Sequence, residues 1–181
     1  IYERKFRKLA EEKGAPQGKT ENWLAYAKTL SSRNLPIVFD QTHLALLLGI
    51  DNEYLHRMSN APEFFYRTFY IPKRNGKKRR IDEPLPDLKK VQSWILNEIL
   101  YKIPCSKFAK AYVPNISIKD NSRFHRNQKI DLAVDLKNFF PSIKSGYILS
   151  VFLSIGYNLP TAVILTRLCC LRESLPQGAP T

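Results

Sequence analysis

The sequence predicts an α+β protein: a run of helices, a basic β-hairpin, a further helix, and one alternating strand upstream of a Pro-rich turn. Three observations carry this. Apolar residues recur at helical spacing through most of residues 1–59. The stretch 64–72, FFYRTFYIP, is aromatic and β-branched and is followed by a turn dipeptide. Residues 130–136, IDLAVDL, alternate with the period of a strand.

Residues 1–13 and 20–32 read as amphipathic helices separated by the breaker GAPQG. In residues 40–59, Leu44, Leu47, Leu48 and Leu55 keep helical spacing, and Gly49 with Asp51 divides two short helices. That pair suits a helix-turn-helix DNA reader or an ordinary helical hairpin. The scarcity of basic residues on the second helix favours the hairpin. After the strand at 64–72, Asn75-Gly76 suits a tight turn because both residues tolerate positive φ. The returning strand runs from Lys77 to Asp82. Asp87 is the expected N-cap of a helix reaching about Lys102, with Leu88, Val91, Ile95 and Ile99 as its buried stripe. Trp94 reads as a core residue rather than a base-stacking one.

The chain of 181 residues is 44% hydrophobic, which supports a real core, and its net charge is +13. Charge of that size opposes compaction and points to an anionic partner, nucleic acid first. A membrane surface fits less well, because the basic residues do not line one amphipathic helix. No apolar run approaches the roughly 18 residues of a membrane span, and the charged start is not a signal peptide. Cys105, Cys169 and Cys170 offer neither a disulfide framework nor metal spacing, as expected of reduced thiols in a cytoplasmic protein. Both ends read as cut, so the chain is expected to be part of a longer protein.

Six of the eight residues from Lys73 to Arg80 are basic, and no acid lies between Glu63 and Asp82. A hairpin tip of this charge suits phosphate binding; an edge strand guarded by lysines is the alternative. Residues 108–129 mix aromatic, basic and amide side chains, a composition that suits a nucleic-acid-facing loop and also many ordinary surfaces. In the segment 130–143, Ile130, Leu132, Val134 and Leu136 are expected to face a core, leaving Asp131, Ala133 and Asp135 on the other side. Asp135 then ends a core strand just before a bend, well placed to hold a metal ion, or it is an incidental strand-end acid. Asp131 cannot complete its site. Four strand residues span roughly 13 Å, whereas paired catalytic metals sit about 3.5–4 Å apart. Downstream, Glu173 in a loop is the one remaining acid, so the chain reads as catalytically incomplete. Residues 175–181, LPQGAPT, form a turn that leaves backbone amides open to a ligand, and Gln177 can both donate and accept there.

Taken in order, the pattern K-x-x-G-K-x-R-x-I-x-x-P, a helix, D-L-K-N-F-F-P-S-I and L-P-Q-G-A-P-T resembles the fingers and palm of reverse transcriptases of the retron and group II intron lineages. The resemblance covers about residues 64–181. Asn121-Ser122-Arg123-Phe124-His125 stands where retron enzymes carry N-A-x-x-H, with Ser122 in place of the usual alanine. The fold so implied is that of a right-hand polymerase: a helical extension over 1–63, fingers over 64–129, and the first part of the palm over 130–181, ending before a Y-x-D-D motif that would supply two more metal aspartates.

The resemblance implies Asp135 as the first catalytic metal ligand, with the Leu136 carbonyl beside it in a two-metal Mg²⁺ site only partly contained in this chain. Lys73 and Arg79 match residues that grip the incoming triphosphate, with Arg80 replacing Arg79 if the register slips by one. Phe140 matches the ring that excludes a ribose 2′-hydroxyl, and Phe139 gives neighbouring backbone contact. Gln177 and Gly178 match the motif touching nucleotide and template. Arg74, Lys77, Lys78, Arg80, Asn121 and His125 are the expected nucleic-acid contacts. The implied activity is RNA-directed DNA synthesis from dNTPs, copying a structured non-coding RNA into DNA and holding the RNA–DNA hybrid, with an effector protein in anti-phage defence. An abortive-infection or group II intron-like reverse transcriptase, and a non-catalytic RNA-binding module of the same fold, are the alternatives.

Overall fold

The computed structural model describes residues 2–73, 76–130 and 132–181. The expectations attached to Arg74, Asn75 and Asp131 lie outside the described residues. The architecture is α+β. Helices α1 (Tyr2–Glu12) and α2 (Gln17–Ser32) flank the GAPQG breaker. α2 starts upstream of residue 20 because Pro16, with its fixed φ, suits the cap position, and its carbonyl accepts from Thr20 Oγ1.

α3 (Gln41–Leu48) begins where the Asp40 carboxylate accepts the His43 N–H at 2.8 Å and ends at Gly49 in the left-handed region, φ 65°. α4 (Asn52–Asn60) is capped by Asp51 in the same way, from Tyr54 N–H at 2.9 Å. Leu44, Ala45, Leu55 and Met58 are buried, so these two helices form a hairpin packed into the core.

A short 3₁₀ turn, Pro62–Phe65, takes up the expected first residues of the strand; β1 (Tyr66–Pro72) then pairs antiparallel with β2 (Lys78–Pro84). Tyr66 faces Pro84 and Pro72 faces Lys78, so the ladder runs out at Pro72 and is taken up again at Lys78. The Lys73 N–H donates to the Lys77 carbonyl, and Gly76 adopts φ 75°. The return strand therefore starts at Lys78 rather than Lys77 and runs on to Pro84.

α5 (Pro86–Glu98) corrects a second expectation. Asp87 is not its N-cap; Leu85 holds that place, because Pro86 is preorganised for the first helical position. Asp87 lies in the first turn, where an acid suits the positive end of the helix, and accepts from the Tyr54 hydroxyl at 3.0 Å. The helix closes at Glu98 and a 3₁₀ turn, Leu100–Lys102, follows. Leu88, Val91, Ile95 and Ile99 are fully buried, as their spacing predicts. Trp94 is half-buried against the same core.

The described residues from 103 to 138 carry little regular structure. α6 (Ile118–Ser122) is held by a reciprocal Ser117–Asp120 capping box, and a 3₁₀ turn, Arg123–His125, follows. The expected strand at 130–136 is absent among its described residues. Ile130, Leu132, Val134 and Leu136 are between 63% and 88% exposed. A lone strand leaves its backbone donors and acceptors unpaired, and the sheet described here has two strands, paired with each other. α7 (Phe139–Ser142), α8 (Ser145–Ser154) and α9 (Leu159–Cys169) follow, and residues 170–181 run on as turns.

One core unites these parts. Leu30, Leu44, Leu55 and Met58 from the first helices, with Val38 from the connection between α2 and α3, meet Leu88, Val91 and Ile95 of α5, Phe152 of α8 and Leu165 and Leu168 of α9. Tyr157 Oη donates to the Pro36 carbonyl at 3.0 Å, and Thr161 Oγ1 to the Val38 carbonyl at 3.2 Å. Gln92, fully buried, donates to the Tyr66 hydroxyl at 2.7 Å and the Leu168 carbonyl at 2.8 Å, locking hairpin, α5 and α9 together. Among the described residues no helix is long and apolar enough to cross a membrane.

Candidate nucleotide and nucleic-acid interface

Alternation along β2 sorts its cations. Arg80 shares a face with Asp82 and with Tyr70 and Thr68 across the ladder, while Arg79 shares the opposite face with Ile81 and Ile71. The Arg80 guanidinium donates to Asp82 Oδ1 from Nε at 3.0 Å and from Nη2 at 2.8 Å. Thr68 Oγ1 donates to the same oxygen at 2.6 Å. These bonds fix Arg80 and hold its pKa above the ordinary value. On the other face Arg67 donates to Glu83 at 2.6 Å, Lys89 approaches the same carboxylate at 3.7 Å, and Arg67 lies over the Phe69 ring. The Arg67 hydrogen bond holds the Glu83 carboxyl below its usual range.

The Pro-Gln-Gly turn docks on the outer edge of β2. The Asp82 N–H donates to the Gln177 carbonyl at 2.9 Å. Gly178 has φ 125°, and a Cβ there would stand 2.8 Å from Ile81 Cγ2 and 3.1 Å from the Asp82 carbonyl oxygen. Glycine is therefore required twice over, for conformation and for close approach. The turn is also tied to the bend after Asp135. Leu171 and Ser174 exchange backbone hydrogen bonds around Arg172 and Glu173, both at positive φ. Ser145 Oγ donates to the Glu173 carboxylate at 2.5 Å, the Ser145 N–H to the Glu173 carbonyl at 3.0 Å, and the Leu175 N–H to the Ile143 carbonyl at 3.0 Å. Glu173, the acid downstream of Asp135, is thus engaged by Ser145.

Phe139 and Phe140 open α7 after Asn138, whose φ of 54° makes the bend. Their rings meet edge to face at 5.4 Å, and Tyr112 meets Phe140 at 6.2 Å and 82°. Asp135 and Leu136 lie exposed in the irregular stretch before that bend. Among the described residues no group of three or more His, Cys, Asp or Glu stands together to hold a metal ion. Asn121 in α6 and His125 in the following 3₁₀ turn are exposed. The Ser117 hydroxyl holds the neighbouring Asp120 carboxyl below its ordinary pKa. Burial pushes the thiols of Cys169 and Cys170 up to about 12 and about 11, so neither is a nucleophile at neutral pH.

Sequence patterning finds the basic hairpin and the Gln177-Gly178 turn but not their contact. It also misses Asp82, although the Arg80-x-Asp82 spacing on a strand already puts both on one face. Tyr112 carries no local signal beyond an aromatic ring among basic residues.

No protein-family model matches the chain. Among curated proteins it is 34% identical to the Retron Ec86 reverse transcriptase of Escherichia coli over 160 residues, which is 86% of this chain and 50% of that protein. It is 32% identical to the Retron Mx65 reverse transcriptase of Myxococcus xanthus over 151 residues, 81% of this chain and 35% of that one. The Retron Mx162 reverse transcriptase of the same organism is 33% identical over 134 residues, 64% of this chain and 28% of its own. The class these similarities support is that of the prokaryotic reverse transcriptases, and the three relatives named are all of the retron type. The chain spans half or less of the length of these relatives.

Proposed function

We propose that the polypeptide is an RNA-directed DNA polymerase that copies a structured non-coding RNA from dNTPs and retains the RNA–DNA hybrid in the cytoplasm, serving anti-phage defence with an effector protein. Residues 1–63 are its helical extension, 64–129 its fingers and 130–181 the first part of its palm. The observation that carries this reading is the docking of Gln177-Gly178 against Ile81 and Asp82, which sets that turn beside a hairpin of cations.

In this reading Lys73 and Arg79 neutralise the triphosphate, whose charge must be matched in phosphoryl transfer. The geometry favours Arg79 over Arg80 for that role, since Arg79 shares the Ile81 face against which Gly178 packs, while Arg80 is held by Asp82. Lys77, Lys78, Arg80, Asn121 and His125 contact the nucleic acid. Phe140 excludes a ribose 2′-hydroxyl by size, Phe139 supports the nucleotide through its backbone, and Gln177 and Gly178 contact nucleotide and template.

For Mg²⁺, the residues described here do not complete a site. Asp135 supplies one carboxylate and Leu136 one carbonyl, so the further carboxylates come from outside the described residues. Asp135→Asn in the native full-length polypeptide is expected to abolish DNA synthesis while leaving RNA binding intact. Primer extension and filter binding on the same preparation test this, and retained polymerisation would sink the metal-ligand assignment.

A further inference from the structure

The Tyr112 side chain is 84% exposed, so burial gives its ring little. Its backbone sits at φ 60°, a region that bulky residues rarely adopt. Strain of this kind persists where surrounding structure imposes it, and it collects at functional sites. The ring that this conformation delivers stands edge-on to Phe140, 6.2 Å away at 82°. Phe139 also meets the Phe140 ring, 5.4 Å away at 74°. Phe140 thus has two edge-to-face neighbours, one adjacent in sequence and one from the segment preceding α6.

We infer that Tyr112 is a specificity-determining positioning residue: it backs the Phe140 ring and so sets how closely that ring approaches the sugar of the incoming nucleotide. This rests on the reading of Phe140 as the sugar-excluding residue. A ring that discriminates by steric exclusion works only if it cannot yield, since a looseness of about 1 Å in a supporting contact degrades a built site. Phe139 alone leaves Phe140 free to swing toward the side that Tyr112 occupies. The Tyr112 hydroxyl has no part in this role; the ring edge does.

The test measures kcat/KM for a dNTP and for the matching rNTP in the native full-length polypeptide carrying Tyr112→Ala, Tyr112→Gly, Tyr112→Phe or Phe140→Ala. Phe140→Ala should reduce the dNTP preference about 100-fold, and Tyr112→Ala about tenfold, within the range that steric pockets achieve. Tyr112→Phe keeps the ring and should stay within about twofold of the parent. Tyr112→Gly relieves the positive φ, so its thermal stability should hold or rise while its dNTP preference falls with that of the alanine variant. A purely structural role would leave the preference unchanged in both. If Phe140→Ala collapses the preference and Tyr112→Ala and Tyr112→Gly do not, the inference is overturned and the reading of Phe140 stands. If Phe140→Ala itself changes nothing, that reading falls and the inference with it.

Discussion

Leu44 and Leu132 are the same side chain with opposite fates. Leu44 is wholly buried between helices that meet their partners within the chain, whereas Leu132 belongs to an alternating stretch that, among the described residues, finds no strand to pair with and lies exposed. Both segments announce themselves by periodicity. A helix satisfies its own backbone and needs only a packing face, while a strand needs a neighbour for its hydrogen bonds before its side chains can be buried. Periodicity alone reports which face is apolar, not whether the partner is at hand.

The difference can be broken directly. Leu44→Ala should cost about 2–5 kcal/mol in denaturant unfolding, as expected for a cavity in a packed core. Leu132→Ala in the same chain should change stability by no more than about 0.5 kcal/mol. Equal costs would mean that residues 130–136 bury their apolar face after all.

The docked turn occupies an intermediate position, because its partner strand is present. Gly178→Ala meets both an unfavourable φ and a Cβ contact with Ile81, and should weaken the docking by about 1–3 kcal/mol. Hydrogen exchange at the Asp82 amide reports it: protection should fall there and persist at Leu88 in α5.

The exposed basic hairpin should contribute through charge rather than packing. Replacing Lys77 and Lys78 by alanine should lower RNA affinity and reduce the salt slope of binding by about 2, while unfolding stability stays level. A lower rate at saturating substrate with unchanged affinity would contradict this.

The smallest effect is electrostatic. Glu83 and Asp120 titrate below the ordinary carboxylate range in the fold, so each contributes stability that is complete above the unfolded value of about 4.3 for Glu or 3.9 for Asp. That contribution is lost as pH falls through the lower folded value, because the unfolded chain binds its proton first. A shallow loss of hairpin order in an acid titration, absent in Glu83→Gln, is the expected signature.

Much of this was readable from the residues. The stripe Leu88, Val91, Ile95 and Ile99 is buried as its spacing demands, and Gly49 divides two helices as its conformational freedom allows. Asp87 was misread because Pro86 competes for the start of α5 and a capping residue cannot act from inside the first turn. The hairpin and the Gln177-Gly178 turn were each visible, but their contact spans nearly a hundred residues, and no local pattern encodes it. Tyr112 is not legible as a site residue because its ring contact with Phe140 joins two segments that no local pattern relates.

The bonds between residues 33–39 and the region of α8 and α9 have a consequence in time. Arg33 to Ser154 and Tyr157 to Pro36 each close a separation of 121 residues. A ribosome adding 5–20 residues per second takes roughly 6–24 s to cover that distance. Throughout that interval the surface around residues 33–39 lacks the cover that α8 and α9 give it, and closing so long a loop is slow in itself. The vulnerable moment of this fold is thus during its synthesis, when residues 33–39 await α8 and α9, and slower translation before α8 should raise the fraction captured by chaperones.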